Sequence, residues 1–228
     1  MATPSNLLQY ISSLKEEELS NISFLENMII YEIGIRIGIR FRTKFNIEAE
    51  YCRKNLCCKQ YPNELAKFLL FIYQHRNHIN NYLEIGIERA GTFILVDSYL
   101  QAINPNYTGS VGVDINPKIK HLGPYLEQSK NCKIQRMYAH QYESDIKFDL
   151  CFIDADHNYK AVKADFDRMR AMSKIIALHD VFLEPGVKHL WKEIKAENDP
   201  KDYTEITNDS QDNFAESLGI GILHHGLH

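Results

Sequence analysis

From residue 80 onward the chain alternates short apolar runs with stretches of helical periodicity. The runs are NYLEIG (81–86), SVGVDI (110–115), KIQRMY (133–138), FDLCFID (148–154), KIIALHD (174–180), YTEIT (203–207) and LGIGIL (218–223). Helical spacing falls between most of them, over 91–102, 118–129, 158–172 and 187–195. Strands that alternate with helices predict an α/β fold built on a doubly wound, mostly parallel sheet. The last two runs have no clear helix between them, which allows an antiparallel last strand. In such sheets ligands bind beyond the carboxyl ends of the strands, at the topological switch point. The residues that finish the runs are therefore the ones to read for chemistry.

The length argues for one domain, or one domain with an appendage. The whole chain has 228 residues, 44% hydrophobic and 25% charged, with a formal charge of −4. That composition excludes a disordered tail, a collagenous chain and a disulfide scaffold, and it argues against a sequence-independent nucleic-acid coat protein. Residues 1–79 read mainly as helix. Leu7, Leu8, Ile11 and Leu14 recur at helical spacing, and Leu65, Phe68, Leu69, Ile72 and Tyr73 do so again after Pro62. We place an N-terminal, mostly helical cap or lid over 1–60 and the main domain over 61–228. IGIRIGIRFR (33–42) is ambiguous between strand and helix. The basic residues Arg36, Arg40, Arg42, Lys44, Arg53, Lys54 and Lys59 form either a solvated surface or a mouth that attracts an anionic substrate. The N-terminus does not look like a signal peptide, and no run is long enough for a membrane helix. Cys52, Cys57, Cys58, Cys132 and Cys151 have no framework spacing, so reduced thiols in a cytoplasmic setting are expected. His224, His225 and His228 are expected in a frayed tail. Leu190 and Trp191 read as core packing, and oligomeric state, a homo-oligomer included, is not legible.

Four constellations stand at strand ends. In LEIGIERAGT (83–92), Glu84 finishes a strand, Gly86 makes the turn and Gly91 and Thr92 open a helix. Small residues let a ligand approach the backbone, and a helix N-terminus offers free N–H groups to a negative group. Thr92 is a candidate helix cap. The spacing is not G-x-G-x-x-G, which disfavours a nicotinamide dehydrogenase. Asp114, in VDINP, can accept both hydroxyls of a ribose or cap the next helix; beside the glycine turn, ribose binding is preferred. The last two constellations are IDADHNY (153–159) and LHD (178–180). If their strands are neighbours, Asp154, His157, His179 and Asp180 converge. Carboxylates with an imidazole suit Mg²⁺ or another divalent cation, and a histidine beside carboxylates can act as a general base.

Together NYLEIGIERAGTF, VGVDINP, FDLCFIDADHNYKAVKADFD and IALHDVFLEPGVKHLWKEI resemble the class I S-adenosylmethionine-dependent O-methyltransferases. The likeness is to the group containing the macrolide-sugar O-methyltransferases and the cephalosporin hydroxylase proteins, and more distantly to the catechol and caffeoyl-CoA enzymes. It implies a Rossmann-like, seven-stranded, mostly parallel sheet with an antiparallel last strand. It also implies S-adenosylmethionine as cofactor, with Glu84, Gly86, Gly91, Thr92, Asp114 and Asp154 around it and His140, in the stretch 138–141, near the adenine. Asp154, Asp180 and His179 would hold the metal, and His157 with Asp154 would do the acid–base work. Ala90 and Glu88 depart from the usual turn, and Val181 stands where the catechol type has an asparagine ligand. The expected reaction is methyl transfer to a hydroxyl of a small molecule or sugar, not at a membrane. The alternatives are a non-catalytic binding protein of the same fold, or a methyltransferase acting on a nucleic acid or protein.

Overall fold

The computed structural model describes residues 2–34, 56, 58–129, 131–208 and 217–224. Residues 35–42 of the ambiguous repeat, the basic residues of that region except Lys59, and Cys52, Cys57, His225 and His228 lie outside them.

The seven apolar runs are seven strands of one sheet: β1 (Asn81–Ile85), β2 (Gly109–Asp114), β3 (Cys132–Arg136), β4 (Phe148–Ile153), β5 (Ser173–His179), β6 (Tyr203–Ile206) and β7 (Ile220–Leu223). Their order is β3-β2-β1-β4-β5-β7-β6. Strands β1 to β5 pair in parallel, and β7 lies antiparallel to both β5 and β6. This is the expected Rossmann-like doubly wound architecture. The order reverses between β1 and β4, where Glu84 stands opposite Gly112 on one side and Phe152 on the other. A crevice at the carboxyl ends of β1 and β4 is the geometric result.

Alternate residues of a strand serve opposite faces. Leu150 and Phe152 join one apolar cluster, and Cys151 and Ile153 join the other. The first face is covered by α1 (Leu7–Ser12), α3 (Ile22–Met28), α4 (Pro62–Gln74) and α5 (Gly91–Ile103), with the short α2 (Glu16–Leu19) between α1 and α3. The second is covered by α7 (Tyr159–Arg170) and α8 (Pro185–Glu197). Pro62 and Pro185 start α4 and α8, where a missing N–H costs nothing. Asn158 caps α7 by accepting from the Lys160 amide. In α5 every residue from Gly91 to Leu100 is buried, because the N-terminal helices close over its outer side. Its one acid, Asp97, accepts hydrogen bonds from Tyr107, Ser110, Tyr125, Ser129 and Gln101.

Three local expectations change. The helix over 118–129 shrinks to α6 (Gly123–Gln128) after a single 3-10 turn, since Pro124 suits a first turn and would break the interior of a helix begun at 118. Strand β7 starts at Ile220, because Gly219 has φ +78° and lies against the Phe182 ring. His224 is buried rather than frayed. Its backbone N–H donates to Asp202 O and its Nε2 lies 2.9 Å from Thr204 Oγ1.

Candidate functional site

The strand ends open into a cleft of about 740 Å³ that contains both the glycine turn and the carboxylate–histidine patch. That volume is in the range of small-molecule and cofactor sites.

At one side, β1 hands the chain to Gly86, whose φ is +89° and where a Cβ would sit 2.2 Å from the Asp154 carbonyl oxygen. Only glycine serves there. Glu88 and Ala90 also take left-handed conformations, and α5 opens at Gly91, so Ala90 occupies the cap position. Thr92 is therefore not the cap. It lies inside the first turn, and its hydroxyl donates to Gln60 Oε1. Asp114 accepts from the Glu88 amide at 2.8 Å and the Asn116 amide at 2.6 Å, which fixes its carboxylate at the edge of the cleft. Glu84 is buried at the base of the cleft and accepts from the Tyr82 hydroxyl at 2.5 Å. Burial raises its pKa to about 8 despite that hydrogen bond. His140 lines the far side, stacked on Tyr138 with ring centroids 5.3 Å apart.

At the other side, Asp154, His157 and Asp180 present ligand atoms that all lie within 4.8 Å of one another. His157 Nε2 is 3.2 Å from Asp180 Oδ2 and 3.7 Å from Asp154 Oδ1, while its Nδ1 is 3.7 Å from Glu184 Oε1. The neighbouring Asp154 carboxylate raises the His157 pKa, with burial opposing and Asp180 and Glu184 assisting. Asp180 has φ +62°, a conformation that turns its side chain back into the cleft. Gly186 has no room for a Cβ, which would meet the His157 carbonyl oxygen at 2.2 Å, so α8 starts hard against the 157–159 turn.

His179 stands differently from the other three. Its Nδ1 is 3.2 Å from Asp154 Oδ1 and 3.3 Å from Asp180 Oδ2. Burial alone would lower its pKa, but the two carboxylates raise it to about 10. Both carboxylates thus engage its Nδ1, while the ligand atoms that gather within 4.8 Å are those of Asp154, Asp180 and His157, with His179 beside them. Burial works against the Asp154 charge as well, yet His179 and His157 hold its pKa well below the usual range. Two carboxylates and an imidazole at this spacing fit a hard or borderline divalent cation in chemistry.

Sequence reasoning missed three cleft residues, Gln60, Glu184 and Asp165, and placed a fourth, Lys59, only within a basic run. Gln60 bridges Thr92 and Asp154. Lys59 pairs with Glu88 at 2.6 Å across the mouth. Glu184 faces His157. Asp165, on α7, faces the His140 side, and burial raises its pKa to about 6. Only Lys59 carried a signal, through the basic run that it ends.

No protein-family model matches the chain, and no curated protein matches it. Solved structures do, through the fold. The O-methyltransferase TomG of Streptomyces achromogenes, involved in tomaymycin synthesis and solved with SAM, is 16% identical, with TM-score 0.51 over 96% of each chain. Cofactor-bound Rv0187 from MTB is 14% identical, with TM-score 0.52 over 97% of each chain. Thermoplasma acidophilum protein 1320 is 13% identical, with TM-score 0.50 over 72% of this chain and 90% of that one. The fold is therefore the Rossmann-like α/β fold that TomG uses.

Proposed function

We propose that the chain is an S-adenosylmethionine-dependent methyltransferase acting on a hydroxyl of a small molecule or sugar, with a divalent cation and a histidine base. One observation carries this reading. A buried acid, a glycine turn and a second strand-end carboxylate share a single cleft with the Asp154–His157–Asp180 group. The solved O-methyltransferase of the same fold supports it.

Glu84 would meet the cationic part of the cofactor, and the turn at Gly86 and Gly91 would give its amino-acid end access to backbone N–H groups. Asp114, held by two amides, would accept the ribose hydroxyls. The region of Tyr138 and His140 would form the adenine side. S-adenosylmethionine supplies an electrophilic methyl group on a sulfonium, and in-line positioning of the acceptor is worth about 7–11 kcal/mol of barrier. Asp154 and Asp180 would hold the cation, which lowers the pKa of a hydroxyl bound to it. His157 is 37% exposed on its side chain and His179 only 4%, so His157 is the imidazole an acceptor can reach. His157, left free by the cation, would take the hydroxyl proton on a neutral ring nitrogen, and Glu184, 3.7 Å from Nδ1, would stabilise the imidazolium so formed. We place the enzyme in the cytoplasm, with nucleic acid an unfavoured acceptor; among the described residues no helix is long and apolar enough to cross a membrane.

Calorimetric titration with S-adenosylmethionine and S-adenosylhomocysteine tests the cofactor, and Asp114→Ala is expected to abolish binding. His157→Gln is then expected to lower kcat by about 10²–10⁴-fold, with cofactor affinity retained. A folded protein that binds neither ligand would overturn the reading. Tight binding with no turnover across hydroxyl acceptors would favour the non-catalytic alternative.

A further inference from the structure

Gln60 belongs to no strand, helix or motif, yet it is 2% exposed at the centre of the cleft. Leu56 and Cys58, just before it, form a short strap along Ile33 and Gly34. The Leu56 amide donates to Ile33 O at 2.9 Å, and the Cys58 amide to Gly34 O at 3.2 Å. Leu56 O also lies where a Cβ on Gly91 would stand, 2.4 Å from that position, so the strap rests directly on the opening turn of α5.

The orientation of the Gln60 amide follows from its partners. A carboxylate only accepts, so the nitrogen faces Asp154, and Nε2 donates to Asp154 Oδ2 at 2.8 Å. The Thr92 hydroxyl then donates to Oε1 on the other side. The two oxygens of Asp154 are thereby divided. Oδ2 is taken by Gln60, while Oδ1 faces His179 at 3.2 Å and His157 at 3.7 Å. Without the amide, a carboxylate on a rotatable bond could turn either oxygen, or both, toward the patch.

We propose that Gln60 is a positioning residue for the divalent-cation site, holding Asp154 so that one oxygen alone is presented beside Asp180 and His157. Thr92 anchors Gln60 in turn, which ties the carboxylate's orientation to the first turn of α5 at the cofactor end. Gln60 touches none of the reacting atoms and acts through Asp154. This inference rests on the cation half of the function proposed above. Hydrogen-bond partners that orient metal ligands typically govern about 10–100-fold of metal affinity.

The test is Mn²⁺ binding to the full chain, followed by the paramagnetic signal of the free ion, with S-adenosylhomocysteine affinity and melting temperature measured on the same samples. Gln60→Met keeps the side chain's length and removes both hydrogen bonds. It is expected to weaken Mn²⁺ binding by about 10–100-fold while S-adenosylhomocysteine affinity changes by less than about threefold. Gln60→Asn is polar but one methylene too short to span both partners, and it is expected to show the same loss should the methionine variant fail to fold. Unchanged Mn²⁺ affinity in a folded variant would overturn the proposal. So would a loss shared equally by Mn²⁺, S-adenosylhomocysteine and melting temperature, which marks a merely structural role. Failure of the wild-type protein to bind Mn²⁺ would remove the cation reading and this inference with it, and would be visible before any variant is made.

Discussion

Glu84 shows how one buried atom group can make cofactor binding depend on pH. Its ordinary pKa is 4.5, and burial at the end of β1 raises it to about 8. At neutral pH the folded protein therefore favours the protonated acid, whereas the unfolded chain carries a carboxylate. Proton binding is greater in the native state, so this group's contribution to stability declines as pH rises from about 4.5 to about 8. A cationic ligand reverses the preference, because it pairs with the ionised form. Binding of S-adenosylmethionine is thus expected to release a proton and to tighten as pH rises from about 6 to about 8. Calorimetry in buffers of different ionisation enthalpy measures the released proton directly. Glu84→Gln is expected to flatten the pH dependence, and an unchanged slope in that variant would show that another group is responsible.

Among the elements, the first turns of the helices position the chemistry more than the strands do. The strands were legible because each is an apolar run bounded by turn residues, and their carboxyl ends could be read for carboxylates and histidines before any contact was known. Asp154, His157 and Asp180 come together for that reason. His179, read as a ligand because sequence places it beside Asp180, turns its Nδ1 toward Asp154 at 3.2 Å and Asp180 at 3.3 Å and stands outside the Asp154–His157–Asp180 group. Gln60 could not be read at all. A lone glutamine between a tyrosine and a lysine has no periodicity, and its partners lie 32 and 94 residues away. Gly186 was equally silent, since nothing in its neighbourhood of sequence shows that α8 begins against residues 157–159. A Cβ there would meet the His157 carbonyl oxygen at 2.2 Å and the Tyr159 amide at 2.5 Å, both backbone atoms that cannot yield cheaply. Gly186→Ala is expected to cost about 1–3 kcal/mol in denaturant unfolding through overpacking. Because the displaced turn carries His157, kcat should fall further than S-adenosylhomocysteine affinity. Equal losses in both would place the damage in the cofactor site instead.

At the scale of the molecule, the N-terminal helices behave as core rather than as a detachable lid. Leu7, Ile11, Leu25 and Ile29 are wholly buried in the same cluster as Leu65, Phe68, Phe93 and Tyr99. Polar contacts cross the same boundary. Tyr99 donates to Leu19 O, Asn63 Nδ2 to Glu26 at 3.0 Å, and Gln128 Nε2 to Ser5 O at 2.9 Å. A lid opens by parting from a surface that water can then wet at little cost, but α5 is buried at every residue from Gly91 to Leu100. Parting here would expose the sheet's own supporting helix. Removal of residues 2–34 is accordingly expected to leave a chain that does not unfold cooperatively, and Leu25→Ala in the intact chain is expected to cost about 2–5 kcal/mol. The two measurements separate the models. A lid would leave a truncated protein with a sharp thermal transition and full affinity for S-adenosylhomocysteine. A shared core loses the transition on truncation, yet keeps that affinity in the folded fraction of Leu25→Ala, because Leu25 touches no part of the cleft.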